Sequence, residues 1–325
     1  MQYKKMGRTG LKISEITLGT MIFGQQVDEA ESIKIMDLAF EKGINSFDTA
    51  DGYAGGRSEE IVGKALKNKR HSVVLASKVA NRKGPGPNDS GLSREHILQA
   101  VENSLRRLGT DYLDIYYAHI PDYTTPIEET LRAFDYLVKQ GKVRYAACSN
   151  YRAGQLVRAL ATSEQHNLAR FDCIEPVYNL ITRDIETELL PTCADEGVGV
   201  VVYNPLAGGL LTGKHNGNQP PASDTRFSQN KNYYERYWSP VNFTAVAHLK
   251  QIAAANNRKP AQFALAWVLG NPGIASAIVG ASSAAQLAEN LGALDVKLSP
   301  DEARACDDVW LELGRLDSST GDRRG

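Results

Sequence analysis

The sequence predicts an α/β fold in which eight parallel strands, each followed by a helix, close into a (β/α)8 or TIM barrel. Short apolar runs alternate with helical patterns along nearly all of the 325 residues, and eight such runs can be counted. The runs are apolar at successive positions, which is typical of parallel strands buried on both faces of a sheet. Eight strand–helix units are the number that closes such a barrel.

A doubly wound parallel sheet is the rival fold for the same alternation. That fold binds nucleotides through a G-x-G-x-x-G fingerprint directly after a strand, and no predicted strand is followed by one. The segment 84–87 (GPGP) resembles it only superficially, because its prolines indicate a loop. We therefore predict the barrel, as a single domain over residues 1–313. Residues 314–325 are predicted to form a flexible polar tail.

The predicted elements follow one another in a regular order. A hairpin over residues 3–12 precedes eight strands, at 13–20, 44–47, 73–78, 113–119, 143–149, 173–178, 198–203 and 275–279. Asp28 and Ser93 suit helix capping, and Pro126 suits a first helical turn. The predicted helices cover 28–41, 58–67, 93–108, 126–140, 153–163, 184–196, 241–256, 260–269, 284–291 and 300–313. The polar segment 214–239 is predicted to be a long loop after the seventh strand.

The overall charge excludes several classes of partner. The formal net charge is −1 and the sequence pI is about 6.6. The chain therefore offers no field that would attract nucleic acid or anionic lipid. We expect a small-molecule partner, no nucleic acid and no membrane, and the oligomeric state is open.

The cysteines and the N-terminus indicate a reducing compartment. The four cysteines lie far apart and include no C-x-x-C pair, which is untypical of a disulfide framework or a zinc site. We therefore predict no metal site. The first eight residues are polar and basic, and no run approaches the roughly 18 apolar residues of a membrane span. The predicted location is cytoplasmic.

Four ionisable side chains stand at or just beyond the carboxyl ends of three consecutive predicted strands. Asp48 follows the second strand, and Tyr53 lies in the loop after it. Lys78 ends the third strand, and His119 ends the fourth. In a barrel of parallel strands the active site lies at the carboxyl ends. We call these four residues the tetrad and expect them to face one mouth of the barrel.

The tetrad combines groups that suit proton transfer to a carbonyl oxygen. A free tyrosine has a pKa of about 10 and is a slow proton donor near neutral pH. The ammonium of Lys78 beside it would favour the phenolate and is expected to lower its pKa. Asp48 would keep Lys78 charged, and His119 would orient the substrate carbonyl or share its proton with the phenol. The sequence thus predicts a general acid for carbonyl reduction.

Segments at the predicted strand ends resemble the aldo-keto reductases, in the order of that family, from about residue 3 to residue 313. They are 43–53 (GINSFDTADGY), Ser77-Lys78, 119–122 (HIPD), Ser149-Asn150, Tyr178-Asn179, 203–214 (YNPLAGGLLTGK) and 280–283 (GASS) with Gln286, Glu289 and Asn290. The resemblance implies a (β/α)8 barrel that reduces an aldehyde or ketone, sugar-derived carbonyls included, with NADPH. It also implies that Tyr53 is the proton donor and that the rest of the tetrad completes the catalytic set.

The same resemblance implies a set of cofactor contacts. The nicotinamide end would meet Gly19, Thr20, Met21, Asp48, Ser149, Asn150, Glu175 and Tyr203, the last stacking on the ring. The phosphates would be held by Asn204, Pro205, Leu206, Gly208 and Leu210, with charge from Lys214 and Arg226. The adenosine end would be held by Gly280, Ser282, Ser283, Gln286, Glu289 and Asn290.

Two positions depart from the family pattern. Glu175 stands where the family commonly has a glutamine that binds the carboxamide. A carboxylate accepts the amide protons but cannot donate to the amide oxygen. The adenosine segment offers Ser282, Ser283 and Gln286 where an arginine or lysine for a 2′-phosphate is frequent. Neutral donors can still bind phosphate, so NADPH is the predicted cofactor and NADH is the alternative.

Two functions follow from the resemblance. One is an NAD(P)H-dependent reductase. The alternative is a cofactor-binding regulatory subunit that resembles the potassium-channel β subunits, a branch whose motifs the segments 91–94 (GLSR) and 280–282 (GAS) resemble. By the resemblance, that branch does not keep the histidine, so the presence of His119 favours the enzyme.

The segment 214–239 bears on the substrate. Its aromatic residues either line a pocket for a ring or a sugar or pack the segment down, and the sequence leaves both roles open. They are Tyr233, Tyr234, Tyr237 and Trp238.

Overall fold

The computed structural model describes residues 1–223 and 225–314, and it confirms the predicted barrel. Eight parallel strands close on themselves, with the last strand paired to the first. In order around the barrel they are β3 (Ile16–Gly19), β4 (Ser46–Asp48), β5 (Val74–Val79), β6 (Leu113–Ala118), β7 (Val143–Ser149), β8 (Phe171–Glu175), β9 (Gly199–Val202) and β10 (Ser276–Val279). They are preceded by an antiparallel hairpin of β1 (Tyr3–Lys5) and β2 (Lys12–Ser14).

Helices connect the strands and complete the chain. They are α1 (Glu29–Glu41), α2 (Arg57–Leu66), α3 (Arg94–Leu108), α4 (Ile127–Lys139), α5 (Ala153–Gln165), α6 (Leu189–Glu196), α7 (Arg226–Gln229), α8 (Lys231–Tyr237), α9 (Pro240–Ala255), α10 (Pro260–Gly270), α11 (Ala284–Leu291) and α12 (Pro300–Glu312). Two predicted caps are confirmed. Asp28 accepts a hydrogen bond from the backbone N–H of Glu31, and Ser93 accepts one from that of His96. Each cap gives a partner to a backbone donor that the helix leaves unpaired.

Three elements differ from their predicted form. The first predicted strand, 13–20, is divided between β2 and β3, because the backbone N–H of Glu15 turns to bond Gln2 O in the hairpin. The predicted helix 184–196 begins as a 3-10 turn before α6. The predicted loop 214–239 contains α7 and α8. The side chain of Asn230 caps α8 by accepting from two backbone N–H groups, a start signal that the sequence interpretation overlooked.

The described residues fall into two compact units. The barrel unit comprises Met1–Pro176, Ile185–Tyr203 and Gly273–Ala288. The helical unit comprises Val177–Asp184, Asn204–Pro272 and residues 289–314. The single domain over residues 1–313 stays a prediction. The predicted tail lies, from residue 315 on, outside the described residues.

Apolar side chains fill the interior of the barrel unit. Met6 and Ile13, from the N-terminal hairpin, are fully buried in the same cluster as the strand residues. A Cβ on Gly199, the first residue of β9, would lie 2.8 Å from Met6 Cγ, so the hairpin closes the amino end of the barrel. The strand residues of this cluster include Val74, Ala76, Ile115, Tyr117, Ala147, Cys173, Val201 and Ile278. The carboxyl end is therefore the end at which polar side chains can gather.

The helical unit has an apolar core of its own. Tyr237 is fully buried in it, and Tyr233 and Trp238 pack against it. Tyr234 stacks on Trp238 with ring centroids 6.0 Å apart and is 42% exposed. Of the two roles that the sequence left open for these aromatic residues, the structure shows packing.

The described part of the chain contains neither a membrane-spanning helix nor a metal-binding cluster. No helix there has the length and apolar character needed to cross a membrane. No cluster of three or more His, Cys, Asp or Glu side chains in it is arranged to hold a metal ion. All four cysteines are free and buried, namely Cys148, Cys173, Cys193 and Cys306.

Candidate active site

Most of the predicted residues in the barrel unit lie on its inner face, at the carboxyl ends of the strands. Side chains two positions apart on a strand point to the same face. Each of these residues follows a core residue of the same strand by two positions. The pairs are Ala76 and Lys78, Tyr117 and His119, Ala147 and Ser149, Cys173 and Glu175, and Val201 and Tyr203. The strand period of two therefore brings these polar side chains to one mouth.

Lys78 is at the centre of this site. Its side chain is 0% exposed, and Nζ lies 2.5 Å from Asp48 Oδ1 and 3.2 Å from Tyr53 OH. Nζ also donates to Thr49 O at 3.1 Å and lies 3.6 Å from Glu175 Oε2. A buried ammonium is tolerated only where such partners compensate the loss of water. The structure thus brings Asp48, Tyr53 and Lys78 together, and their catalytic roles stay predictions.

The charges of the buried cluster depend on one another. Burial lowers the pKa of Lys78, but the carboxyl groups of Asp48 and Glu175 outweigh burial and hold that pKa above its usual value. Burial also raises the pKa of Asp48, and Lys78 opposes this rise. Lys78 is therefore charged throughout the physiological pH range. Its charge opposes the rise in pKa that burial causes in the neighbouring acids.

A strained turn carries Tyr53. The 3-10 turn Tyr53–Gly56 follows β4, and Ala54 within it has φ 48°, in the left-handed region. A non-glycine residue rarely adopts this conformation, and it persists only where surrounding contacts fix it. Gly56 (φ 102°) ends the turn, and a Cβ there would lie 2.8 Å from Arg107 Cδ. The position of the phenol is therefore set by the backbone of this turn.

Buried hydroxyl groups fix the chain on both sides of the turn. Ser58 Oγ donates to Thr20 O at 2.9 Å and lies 3.0 Å from Thr49 Oγ1. Thr20 Oγ1 donates to Asp48 O at 2.9 Å. Thr20 is fully buried, so its hydroxyl links the ends of β3 and β4, and its predicted place beside the nicotinamide stays a prediction.

The pKa of Tyr53 is shifted in the direction opposite to the expectation. Burial raises this pKa above its ordinary value, and the effect of Lys78, which lowers it, is smaller. The phenol therefore carries its proton near neutral pH and is able to donate it. The ring of His119 meets the ring of Tyr53 edge-on, with centroids 6.0 Å apart and an interplanar angle of 80°.

His119 is held neutral and in one tautomer. Burial, reinforced by Lys78, lowers its pKa to about 3. Asn81 Nδ2 lies 3.2 Å from His119 Nδ1, and an amide NH2 only donates, so Nδ1 accepts and the ring proton is on Nε2. A neutral imidazole with its proton on Nε2 can donate to a carbonyl oxygen. The sequence interpretation overlooked Asn81, although it lies three residues after Lys78, just beyond β5.

Asn81→Asp is expected to move this proton. A carboxylate only accepts, so it favours a proton on Nδ1 and raises the pKa of His119. Nitrogen-15 NMR of the histidine ring should show the Nε2–H tautomer in the wild type, with no titration above about pH 5, and titration at higher pH in the variant. Asn81→Ala removes the donor without adding charge and should leave the ring untitrated in that range. Titration near the ordinary histidine pKa in the wild type would contradict the assignment.

Several residues predicted for the nicotinamide end form a chain of hydrogen bonds across three strand ends. Ser149 Oγ donates to Glu175 O at 2.8 Å, and Asn150 Nδ2 donates to Ser149 Oγ at 3.0 Å. Tyr203 OH donates to Asn150 Oδ1 at 2.8 Å. Asn150 has φ 63°, a conformation that asparagine tolerates better than most residues. The structure brings these four residues together at the mouth of the barrel unit.

Gly19 and Met21 lie at and just beyond the end of β3. A Cβ on Gly19 would stand 2.6 Å from Ile278 Cγ2, so the neighbouring strand leaves room only for glycine. Met21 is partly exposed. The contacts with nicotinamide that the resemblance implies for both stay predictions.

Asn204 anchors the predicted phosphate segment, which belongs to the helical unit. Its Oδ1 accepts from Gly208 N at 2.6 Å, and its Nδ2 donates to Tyr237 OH at 2.8 Å. Gly208 and Gly209 have φ 69° and 102°, so this turn depends on residues without a side chain. The segment also holds Pro205 and Leu210, which are buried, and Leu206, which is partly buried.

The two cations predicted for the phosphates are placed differently within the helical unit. Lys214 is exposed. The guanidinium of Arg226 lies over the ring of Tyr233, 5.0 Å from its centroid. The roles of Lys214 and Arg226 in phosphate binding stay predictions.

Several residues predicted for the adenosine end form hydrogen bonds or ion pairs with other residues of the protein. In the barrel unit, Gln286 Oε1 accepts from Ser282 N at 2.6 Å and from Ser282 Oγ at 3.0 Å, and Gly280 is exposed. In the helical unit, Glu289 forms an ion pair with Lys259 at 2.8 Å, and Asn290 is buried. The Ser282–Gln286 pair adds no positive charge that would select a 2′-phosphate.

The chain matches the family model of the aldo/keto reductases over residues 15–311, from just before β3 to the last turn of α12. It belongs to the aldo/keto reductase family. Members of this family are NAD(P)H-dependent oxidoreductases, and the eight-stranded barrel with a polar mouth agrees with that assignment.

Three curated relatives cover nearly the whole chain. A protein of Arabidopsis thaliana named a probable voltage-gated potassium channel subunit beta is 40% identical over 303 residues, 91% of this chain and 92% of the relative. One of Oryza sativa subsp. japonica with the same name is 39% identical over 302 residues, with the same coverage. The uncharacterized oxidoreductase YrpG of Bacillus subtilis is 36% identical over 321 residues, 95% of this chain and 96% of the relative.

Proposed function

We propose that this protein is an NADPH-dependent reductase of aldehydes or ketones, sugar-derived carbonyls included, in which Tyr53 gives the proton to the carbonyl oxygen. The proposal is carried by the buried contact of Lys78 Nζ with Asp48 Oδ1 (2.5 Å) and with Tyr53 OH (3.2 Å). The bound cofactor supplies the hydride. Tyr53 donates its proton, and Lys78 stabilises the phenolate that remains. His119, neutral and protonated on Nε2, holds the carbonyl oxygen.

The donor set at the mouth of the barrel unit fits a nicotinamide. Ser149 and Asn150 offer hydroxyl and amide groups there, and Asn150 is exposed. Tyr203 is partly exposed and offers an aromatic face to a planar ring. The phosphate and adenosine contacts rest on the resemblance. NADPH is the proposed cofactor and NADH the alternative, because Ser282 and Gln286 are neutral.

The test is the oxidation of NADPH and NADH across a panel of aldehydes, ketones and keto-sugars, followed by absorbance. We expect turnover with at least one carbonyl, and faster turnover with NADPH than with NADH. Incubation without a carbonyl substrate controls for slow oxidation by solvent oxygen. Tight binding of NADPH with no turnover on the whole panel would contradict the proposal.

A regulatory subunit is the second candidate function. It is favoured by the names of the two plant relatives, potassium channel subunits beta, at 40% and 39% identity. In that case the protein binds NADPH and a channel partner without turning over carbonyls. The presence of His119 beside Tyr53 favours the enzyme, and the carbonyl panel separates the two candidates.

The cytoplasm is the proposed location of this reductase. All four cysteines are free and buried, which supports a reducing compartment. Detection of a fluorescently tagged full-length chain in the cytoplasm of its host cell is the expected result.

A further inference from the structure

Glu175 brings a second carboxyl group to the buried ammonium of Lys78. Its side chain ends β8, is 3% exposed, and has Oε2 3.6 Å from Lys78 Nζ. Asp48 Oδ1 lies closer to the same nitrogen, at 2.5 Å. One buried cation therefore faces two carboxyl groups. The resemblance gives this position a role toward the carboxamide, as a glutamine, and none toward the lysine.

The two carboxyl groups approach the same nitrogen, and each keeps one oxygen that the described residues leave without a hydrogen-bond partner. Asp48 Oδ2 and Glu175 Oε2 are both buried, and no nitrogen or hydroxyl of the described residues donates to either. Two ionised carboxylates contain only acceptors, so a hydrogen bond between them requires a proton on one of them. A single proton shared between the two acids would give a partner to both oxygens.

The charge of the cluster leads to the same conclusion. With both carboxyl groups ionised, +1 from Lys78 and −1 from each acid leave a net charge of −1 in a site where all three side chains are nearly inaccessible to solvent. An uncompensated charge is strongly unfavourable there. With one proton on the pair the cluster is neutral. Because Asp48 is nearer the ammonium, it is the acid that ionises, and Glu175 keeps the proton.

We propose that Glu175 is a positioning residue that stays protonated near neutral pH and donates its O–H to Asp48, so that the cluster is neutral and Lys78 stays directed at Tyr53. As a neutral acid, Glu175 has the hydrogen-bonding character of the glutamine that the family commonly has at this position. The importance of Lys78 for Tyr53 rests on the proposed function, whereas the protonation of Glu175 does not.

The surroundings of Glu175 agree with a retained proton. Burial raises its pKa well above the usual value, the charge of Asp48 adds to the rise, and Lys78 opposes it. The other ionisable groups that act on it are Tyr53, Tyr117 and Cys173. Burial raises the pKa of each of these, so none of them is charged near neutral pH.

Carbon-13 NMR of the protein labelled at the glutamate side-chain carboxyl carbons tests the protonation directly. In the wild type near neutral pH we expect one resonance at the position of a protonated acid, and we expect Glu175→Gln to lose it. Glu128→Gln is the matched control, because the side chain of Glu128, in α4, is 43% exposed and its pKa is lowered by its bond to Arg132. The Glu128→Gln variant should lose the resonance of an ionised glutamate and keep the resonance of the protonated one. A wild-type spectrum in which every glutamate is ionised would overturn the proposal, even if the Glu175→Gln variant did not fold.

The pH dependence of unfolding gives a second readout. It would not change if Glu175 only packed in the site without keeping its proton. An unfolded glutamate loses its proton above about pH 4, whereas folded Glu175 keeps it. The free energy of unfolding of the wild type therefore falls as pH rises from about 4 to the folded pKa. The wild-type unfolding constant should rise about tenfold more per pH unit than that of Glu175→Gln. Equal slopes in the two proteins would overturn the proposal.

Carbonyl reduction separates this inference from the proposed function. Glu175→Gln keeps a neutral donor to Asp48, so its carbonyl reduction is compared with that of the wild type as a pH profile. The variant should lack the loss of rate that the wild type shows when Glu175 ionises at high pH. A protonated Glu175 in a protein that reduces no carbonyl would contradict only the proposed function, and an ionised Glu175 in an active reductase would contradict only this inference.

Discussion

Tyr53→Phe is expected to abolish carbonyl reduction while leaving the affinity for the cofactor nearly unchanged. The substitution removes only the phenolic oxygen, which lies 3.2 Å from Lys78 Nζ, and it keeps the ring that meets His119 edge-on. General acid catalysis contributes on the order of 10²–10⁴-fold to a rate, so kcat should fall by at least that factor. Steady-state kinetics measure the loss, and titration with NADPH, followed by protein fluorescence, measures the affinity.

Tyr116→Phe is the matched control for this prediction. Tyr116 is a fully buried tyrosine of β6, and its hydroxyl has no hydrogen-bond partner among the described residues. Its ring packs on Phe134 of α4, with centroids 5.5 Å apart. Activity near the wild-type level is therefore expected. Reduction by Tyr53→Phe at a rate near that of Tyr116→Phe would contradict the assignment of the proton donor.

The positions of the strand-end residues could be predicted because they depend on local periodicity. Eight buried apolar runs define the barrel, and the period of two fixes which side chains point inward at each strand end. Lys78 and Glu175 thus follow core residues by two positions. The polar side chains at the mouth of the barrel unit can therefore be predicted from the sequence alone.

The pKa values and protonation states at this mouth could not be predicted, because they depend on burial and on contacts between distant segments. The nearness of Lys78 suggested a lowered pKa for Tyr53, but burial has the larger effect and raises it. Asn81 resembles any polar residue of a loop until the fold places its amide 3.2 Å from His119 Nδ1. The proton that we propose for the pair of Asp48 and Glu175 likewise depends on two strand ends that are 127 residues apart in sequence.

The segment 214–239 shows a different reason for a missed feature. Its polar composition suggested a loop, yet α8 begins directly after Asn230, whose side chain caps it. Tyr233 and Tyr237, one turn apart, give this helix its apolar side against the core of the helical unit. A helix of seven residues has too few positions to show a clear period, so packing rather than pattern stabilises it.

Lys78→Met is expected to lower both activity and stability. Activity should fall because the phenolate of Tyr53 loses its cation. The free energy of unfolding should fall by roughly 3–5 kcal/mol near neutral pH, because Asp48 is left as a buried charge without its cation. Steady-state kinetics and chemical denaturation measure the two losses on the same preparations.

The stability loss of Lys78→Met should depend on pH. Burial already raises the pKa of Asp48, and loss of the ammonium raises it further. An unfolded aspartate ionises above about pH 4, so the folded variant is penalised increasingly as pH rises above that value, up to its own raised pKa. At more acid pH the carboxyl group is protonated in both states, and the deficit caused by Asp48 should disappear. A deficit that stays constant down to acid pH would show that lost packing, rather than the charge of Asp48, causes it.

Combining Lys78→Met with Asp48→Asn should separate stability from activity. The double variant removes both charges, and replacing both partners of a buried ion pair by neutral groups is often nearly neutral for stability. Its free energy of unfolding should therefore recover most of the loss seen in Lys78→Met. Its activity should stay low, because Tyr53 still lacks the ammonium that lies 3.2 Å from its hydroxyl in the wild type. Recovered activity in the double variant would mean that Lys78 serves only to neutralise Asp48 and takes no part in proton transfer from Tyr53.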